Sequence, residues 1–292
     1  MYPLTSGSAL FVADENGDAA RDLLLVDGAT VTALRGGALG FTQAWSVTGY
    51  GTMLQPALFD VDGDGAKDLL FTQARSSGST WSYELRWARR TGAASFAADQ
   101  WLASGIAWFG LADLNNDGRT DVAGVTIIDN DWTRDSRFSA LINQGGGLFR
   151  SLGTLTGPST FISQAEVADL NEDGHVDLLF RTNTAIGWAT GDGRGGFSSY
   201  ALLGTPGWPM RFAVTDLDRD GHVDLVLNAT SGGYGTWLMR GLGTGAFESR
   251  GFAVPSGLVD YGPVVADFDG VGLADVVVAS FDHFLLLRGR CP

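Results

Sequence analysis

The sequence predicts an all-β fold: a β-propeller of six blades, each of mostly four antiparallel strands. Three observations predict it. A nine-residue acidic run recurs six times, beginning at Asp14, Asp60, Asp113, Asp169, Asp216 and Asp267, at spacings of 46, 53, 56, 47 and 51 residues. A period near 50 marks a repeat architecture. Apolar stretches of strand length flank every run, and a glycine-rich turn ending in phenylalanine follows five of them. Four short strands for each repeat of that length is the content of a propeller blade. A seven-bladed or incompletely closed ring is the alternative.

The elements follow in one order. A first strand enters the acidic run: Ala9 to Ala13, Ala57 to Phe59, Trp108 to Ala112, Glu166 to Ala168, Phe212 to Thr215 and Val264 to Ala266. A second strand leaves it as a nearly unbroken apolar run, such as Leu69-Leu70-Phe71 or Val276-Val277-Val278. Runs without alternation read as strands buried on both faces. A third strand leads into the glycine-rich turn, and a fourth is expected to start at the phenylalanine closing it: Phe41, Phe96, Phe149, Phe197 and Phe247. The last repeat stops before any such turn. Tyr2 to Thr5 is the candidate strand to complete it, since closure removes exposed edges.

Composition fits. The chain has 292 residues, 45% hydrophobic and 18% charged, with 42 glycines. That is a globular composition, and the repeats span it nearly end to end, so residues 1–292 read as a single domain. The net charge of -14 argues against nucleic-acid partners. Much of it is concentrated, because the runs hold 20 of the 33 acidic residues at their positions 1, 3, 5 and 9. The one cysteine, Cys291, gives no disulfide framework. The first residues lack a basic segment and a long apolar run, so they do not read as a signal peptide, and no stretch is long enough to span a membrane. A mature or excised extracellular piece is the expectation.

The run Asp60-Val61-Asp62-Gly63-Asp64-Gly65-Ala66-Lys67-Asp68 shows the chemistry. Carboxylates two residues apart on a tight turn converge on one point, and glycine permits the backbone angles such a turn needs. Four carboxylates that close repel one another unless a hard cation sits among them. Calcium, with six to eight oxygen ligands and flexible geometry, is the expected cation. An EF-hand is excluded, because no helices flank the runs and no glutamate stands at position 12.

The D-x-D-x-D-G-x-x-D loop with its glycine-phenylalanine turn resembles the FG-GAP or VCBS repeat, over about residues 5 to 290. That repeat builds the propeller of integrin α chains and of mushroom lectins similar to the Psathyrella velutina lectin. The resemblance implies calcium held by the side chains at positions 1, 3, 5 and 9 and the backbone carbonyl at position 7. The sets are Asp14, Asn16, Asp18, Ala20 and Asp22; Asp60, Asp62, Asp64, Ala66 and Asp68; Asp113, Asn115, Asp117, Arg119 and Asp121; Asp169, Asn171, Asp173, His175 and Asp177; and Asp216, Asp218, Asp220, His222 and Asp224. The sixth run offers Asp267, Asp269 and Asp275, but Val271 fills position 5, so that site is expected weak or empty. About five calcium sites result, bringing the net charge from -14 to -4.

Further patterns bear on function. His175 and His222 fall at position 7, where the carbonyl is the ligand, and read as structural or solvated. Gly191 to Gly196 matches G-x-G-x-x-G but joins two strands, so it is no dinucleotide site. Trp87, Trp188 and Trp237 lie 9, 9 and 10 residues before the repeat phenylalanine and read as packing between blades. Trp81, Trp108, Trp132 and Trp208 sit in or beside connections on the face opposite the acidic loops, two of them long (Ala74 to Trp81 and Asp129 to Ser136). Aromatic and amide groups there suit sugar rings, with their apolar face and hydroxyl rim. The expected function is a calcium-stabilised extracellular binding module, not an enzyme, with a glycan as ligand. Integrin-like adhesion to a cell-surface protein is the alternative. A polysaccharide lyase would need a clustered base that the sequence does not gather.

Overall fold

The computed structural model describes residues 9–18, 22–37, 40–48, 51–77, 80–130, 133–205, 207–230, 234–250, 262–266, 274–279 and 284–288. Blade 1 is β1 (Ala9–Ala13), β2 (Asp22–Asp27), β3 (Thr30–Arg35) and β4 (Thr42–Thr48), paired in that order. Blade 2 is β5 (Met53–Phe59), β6 (Asp68–Ser77) and β7 (Thr80–Ala88), then a small ribbon of β8 (Arg90–Gly92) with β9 (Ser95–Phe96), then outer strand β10 (Gln100–Ser104) on β7. Blade 3 is β11 (Ile106–Ala112), β12 (Asp121–Asn130) and β13 (Thr133–Asn143), with an outer edge split into β14 (Phe149–Ser151) and β15 (Leu155–Thr156). Blade 4 is β16 (Ile162–Ala168), β17 (Asp177–Thr182), β18 (Ile186–Gly191) and β19 (Phe197–Leu203). Blade 5 is β20 (Trp208–Thr215), β21 (Asp224–Thr230), β22 (Tyr234–Gly241) and β23 (Phe247–Arg250). Blade 6 shows β24 (Val264–Ala266), β25 (Asp275–Ala279) and β26 (Phe284–Leu287) among the described residues. Every pairing is antiparallel, and the described residues contain no helix. The chain is a six-bladed β-propeller. Tyr2 to Thr5, expected to complete the last blade, lies outside the described residues.

The second strands behave as their composition predicts. The first seven residues of β6 and the first six of β21 are buried, since blades cover both faces of a middle strand. Consecutive blades pack through five clusters of buried apolar side chains among the described residues. One joins Leu70, Leu85 and Trp87 of blade 2 to Ile106, Phe109 and Val122 of blade 3. Another joins Leu179 and Ile186 of blade 4 to Phe212, Leu225 and Leu227 of blade 5.

The glycine-rich turns are glycine-rich partly because the preceding blade lands on them. A Cβ on Gly147 would lie 2.8 Å from the Trp87 ring, and one on Gly245 would lie 2.4 Å from the Trp188 ring. Ile142 does the same to Gly195 between blades 3 and 4. Two glutamines tie inner strands together. Gln55 donates to the Phe109 carbonyl and accepts from its N–H, at 2.7 and 3.0 Å. Gln164 does likewise with Phe212, at 2.7 and 3.2 Å.

Four expectations change. Trp237 does not share the place of Trp87 and Trp188. Those two pair with Leu70 and Leu179, two residues past the position-9 aspartate, whereas Trp237 pairs with Leu227, three past it. A one-residue slip turns a side chain to the other face, so Trp188 and Trp237 pack from opposite sides on the same cluster between blades 4 and 5. Phe96 closes the β8–β9 ribbon and does not start the outer strand of blade 2. The long connections after Ala74 and Asp129 are no loops but extensions of hairpins, with ladders running to Ser77↔Thr80 and Asn130↔Thr133. Trp108 lies inside β11, half-buried against the apolar cluster of blades 3 and 4.

Candidate metal centre

Each of the first five acidic loops links the first and second strands of its blade and is built around its ninth residue. Asp22, Asp68, Asp121, Asp177, Asp224 and Asp275 are almost wholly buried. In the first five, one carboxylate oxygen accepts the N–H of the loop's second residue: Glu15, Val61, Leu114, Leu170 and Leu217, at 2.7 to 3.0 Å. The other oxygen accepts an N–H where the third strand ends: Gly36, Arg90, Asn143, Gly191 and Gly241, at 2.7 to 2.8 Å. Position 9 therefore ties loop to blade whatever ion is bound, a role the spacing alone does not reveal.

The remaining positions fold the turn on themselves. Asp60 accepts from the N–H groups of Gly63, Asp64 and Gly65. Asp64 accepts from Ala66 at 2.9 Å, and the same position-5 contact recurs at Arg119, His175 and His222. The expected glycines at position 6 have positive φ, from 81° at Gly174 to 90° at Gly221. Position 4 is also left-handed, and three of its residues are not glycine: Asn116, Glu172 and Arg219, with φ from 57° to 61°. Such angles are uncommon outside glycine and persist where surrounding bonds impose them.

Electrostatics splits the loop in two. Burial raises the carboxyls of Asp68, Asp121 and Asp224, and takes Asp177 to about 6, against the two backbone N–H bonds each receives. Asp64, Asp117 and Asp220 are lowered, chiefly by the backbone N–H two residues on.

The donor set suits a hard divalent cation. Oxygens of Asp60, Asp62 and Asp64, and of Asp216, Asp218 and Asp224, lie within 4.8 Å of one another. Position 1 supplies a further sign: Asp169 Oδ1 and Asp216 Oδ1 are buried without a hydrogen-bond partner. An orphaned carboxylate oxygen in a ring of oxygens is costly unless a cation meets it. The first loop is described over Asp14 to Asp18, with Asp22; Ala20 lies outside the described residues, as do Asp267 and Asp269. The two histidines at position 7 turn their rings aside. His175 lies over Gly193 of its own blade, and His222 meets Glu172 of the neighbouring loop.

The opposite face carries the tryptophans. Trp208, at the start of β20, is 67% exposed, and Trp81, near the start of β7, is 46% exposed. They stand on blades 5 and 2 and do not form one cluster. Trp132 lies outside the described residues.

The model of the FG-GAP-like repeat matches residues 113–180, 181–227 and 216–278. The chain belongs to the FG-GAP-like repeat family. Among solved structures, the chain is similar to a lectin of Agrocybe aegerita described by its specific recognition of non-reducing terminal N-acetylglucosamine. Identity is 17%, the TM-score is 0.63, and the alignment covers 97% of this chain and 77% of the lectin, a likeness of fold. A second is the Photorhabdus luminescens Tc holotoxin pore, at 19% identity and a TM-score of 0.49, covering 92% of this chain and 13% of that one. No curated protein matches the sequence.

Proposed function

We propose that this FG-GAP-like propeller is an extracellular, calcium-stabilised binding module that recognises glycans on the face opposite the acidic loops, and is not an enzyme. The observation that carries the ligand side is Trp208. An indole two-thirds exposed at a strand start contributes little to folding and offers a sugar ring an apolar platform beside polar groups. Trp81 repeats the arrangement on blade 2. The lectin that shares the fold adds support for a glycan.

The calcium side rests on the oxygen-only donor sets and on the orphaned oxygens of Asp169 and Asp216. Calcium would neutralise carboxylates that otherwise repel one another. The side chains at positions 1, 3 and 5 would hold it, with position 9 already fixed by backbone bonds.

The test is a glycan array, with and without chelator, on the wild type and on Trp208→Ala. Specific sugar binding that Trp208→Ala weakens, with an unchanged melting temperature, supports the reading. Binding to a protein surface alone supports adhesion, and degradation of a polysaccharide supports an enzyme. A calcium ion that binds only the folded state adds roughly 2.7 kcal/mol per site at 100 times its Kd. Melting curves that coincide in calcium and in chelator would remove calcium from the proposal.

A further inference from the structure

The five described loops solve one problem in two ways. Oδ2 of the position-5 aspartate is the oxygen left for a side-chain donor, because in loops 2 to 5 Oδ1 already accepts a backbone N–H. Where position 3 is asparagine, its side-chain amide supplies it. Asn16 donates to Asp18 at 2.7 Å, Asn115 to Asp117 at 3.1 Å and Asn171 to Asp173 at 3.0 Å. Where position 3 is aspartate, that donor is lost and a fourth carboxylate is added. In those loops an arginine arrives from the end of the third strand. Arg89 bonds Asp62 at 2.6 Å and Asp64 at 2.7 Å. Arg240 bonds Asp218 at 2.9 Å and also Asp220.

Arg89 and Arg240 occupy one structural position. Each directly precedes the residue whose N–H bonds the position-9 aspartate, namely Arg90 to Asp68 and Gly241 to Asp224. In blades 3 and 4, whose loops carry asparagine at position 3, that position is Ile142 and Thr190. Blade 1 has asparagine at position 3 and an arginine, Arg35, but also an added carboxylate at position 2, and Arg35 goes to it: Glu15. The sequence of the last repeat combines Asp269 with Arg288, which follows Leu287, the partner of Val276. An extra carboxylate and an arginine at this position thus go together throughout.

We propose that Arg89 and Arg240 are built-in counter-cations, each matched to the position-3 aspartate of its own loop. They hold loops 2 and 5 closed when no metal is present and compete with a divalent cation for Asp62 and Asp218. The chain therefore carries two classes of cation loop. Asparagine loops hold three carboxylates at positions 1, 3, 5 and 9 and no third-strand arginine bonds them, though Arg119 of loop 3 reaches Asp117 from position 7 and Arg35 of blade 1 is taken by Glu15; aspartate loops hold four carboxylates with one third-strand guanidinium. Because calcium affinity follows the charge of the ligand set, the arginine holds the four-carboxylate loops down toward the affinity of the others. This goes beyond the calcium reading, since its first consequence is measured without metal.

The experiment is a cycle of Arg89→Ala, Asp62→Asn and the double variant, melted in excess chelator and then titrated with calcium. In chelator, Arg89→Ala lowers the melting temperature by about 2–4 °C, a small shift for a chain of this size because the pair is exposed. Asp62→Asn in the same chain recovers most of that loss, because the asparagine amide restores the donor to Asp64. In calcium, Arg89→Ala shifts the midpoint of binding to lower concentration and the double variant shifts it back. A transplant checks the rule elsewhere: Asn171→Asp destabilises in chelator, and adding Thr190→Arg restores stability. The proposal is overturned if Arg89→Ala melts with the wild type in chelator, or if Asp62→Asn gives it no recovery. If calcium has no effect on any variant while the chelator cycle holds, the calcium reading fails and the counter-cation role stands.

Discussion

The seam between blades 1 and 2 and the seam between blades 4 and 5 each hold a glutamate, Glu15 buried and Glu166 half-buried, and they treat it in opposite ways. Glu15 takes the second position of loop 1, where the other described loops have Val61, Leu114, Leu170 and Leu217. It is 2% exposed and is met by Arg35 of its own blade, Arg90 of the next and the Trp45 indole N–H at 2.9 Å. The Arg90 guanidinium also lies over the rings of Trp45 and Phe96, at 5.9 and 5.5 Å, so the β8–β9 ribbon clamps blade 2 to blade 1. Lys67 adds a bond to the Asp14 carbonyl and a salt bridge to its carboxylate. Burial alone would raise the Glu15 carboxyl, but the arginine and tryptophan donors overcome it and hold it below its ordinary value. Glu166 lies on β16, two residues from Gln164 and so on the face that Gln164 turns to blade 5. Burial raises it to about 6, opposed by Gln164 alone. That seam is built mainly on apolar packing, with Trp188 over Gly245 and the Gly245 N–H on the Leu170 carbonyl, while Arg181 donates to the Pro209 carbonyl, Arg211 to the Ser163 carbonyl, and His222 meets Glu172 at its exposed rim. The comparison teaches that burial does not decide a carboxyl's charge; the donors that the neighbouring blade brings to it decide.

The largest effect expected is on the apolar seam. Trp188→Ala removes the side chain that fills the space above Gly245 and should cost about 3 kcal/mol, the lower range for truncating a packed aromatic. Because the loss is packing and cavity, denaturant midpoints in low and high salt should fall equally. A loss that depends on salt would mean that the two seams differ less than their contacts suggest.

Next is the ionic seam. Glu15→Leu restores the apolar residue that other loops use but leaves Arg90 facing the seam without its carboxylate. Removing one partner of a buried pair costs about 3 kcal/mol, and the half-exposed Arg35 brings the figure down from the upper range. Adding Arg90→Met should recover much of the loss, since a paired replacement by apolar groups is often neutral. If Glu15→Leu alone matches the wild type in chemical denaturation, the cluster is decoration and not a clamp.

How legible the molecule is from sequence depends on the reach of each interaction. The acidic loops, blade order and buried second strands are legible because nine-residue spacing and apolar runs are local. The acidic-loop turns at position 6 follow from glycine alone. The matching left-handed turns at Asn116, Glu172 and Arg219 do not, because ordinary residues adopt that angle only under bonds that the fold supplies. Spacing misplaces Trp237 because one residue of register reverses a face, and distance to the phenylalanine is a poor ruler for register. The Glu15 cluster is hidden for a plainer reason: Arg90 is 75 residues away, and nothing local announces that the two meet. The Arg89 and Arg240 pairs can be found, by setting the six repeats against one another and noting which lose asparagine at position 3.

The smallest effect separates the two glutamates most sharply, through pH. Glu166 has a folded value of about 6 against an ordinary 4.5. A raised value means the folded state holds the proton more tightly than the unfolded chain. Its favourable contribution is complete below about 4.5 and is lost as pH rises through 6. At pH 7.5 the ionised carboxylate then costs about 2 kcal/mol, since each tenfold change in proton affinity is worth about 1.4 kcal/mol. Glu166→Gln removes the charge and keeps a hydrogen-bonding side chain beside Gln164. The variant should be more stable than the wild type at pH 7.5, and the advantage should shrink to nothing as pH falls to about 4.5, by linkage. Glu15→Gln should do the reverse. The lowered Glu15 carboxyl contributes stability above its ordinary 4.5 and loses it as pH falls through its folded value, so this variant is worse at neutral pH and approaches the wild type only in acid. Taking each variant against the wild type at the same pH cancels the loop aspartates common to both, Asp177 among them. The measurement is urea unfolding of the three proteins from about pH 3, below the ordinary carboxyl value, to about pH 7.5, in chelator throughout. Opposite slopes would establish that neighbouring donors set the charge in each seam. Slopes of one sign would mean that burial governs both glutamates alike.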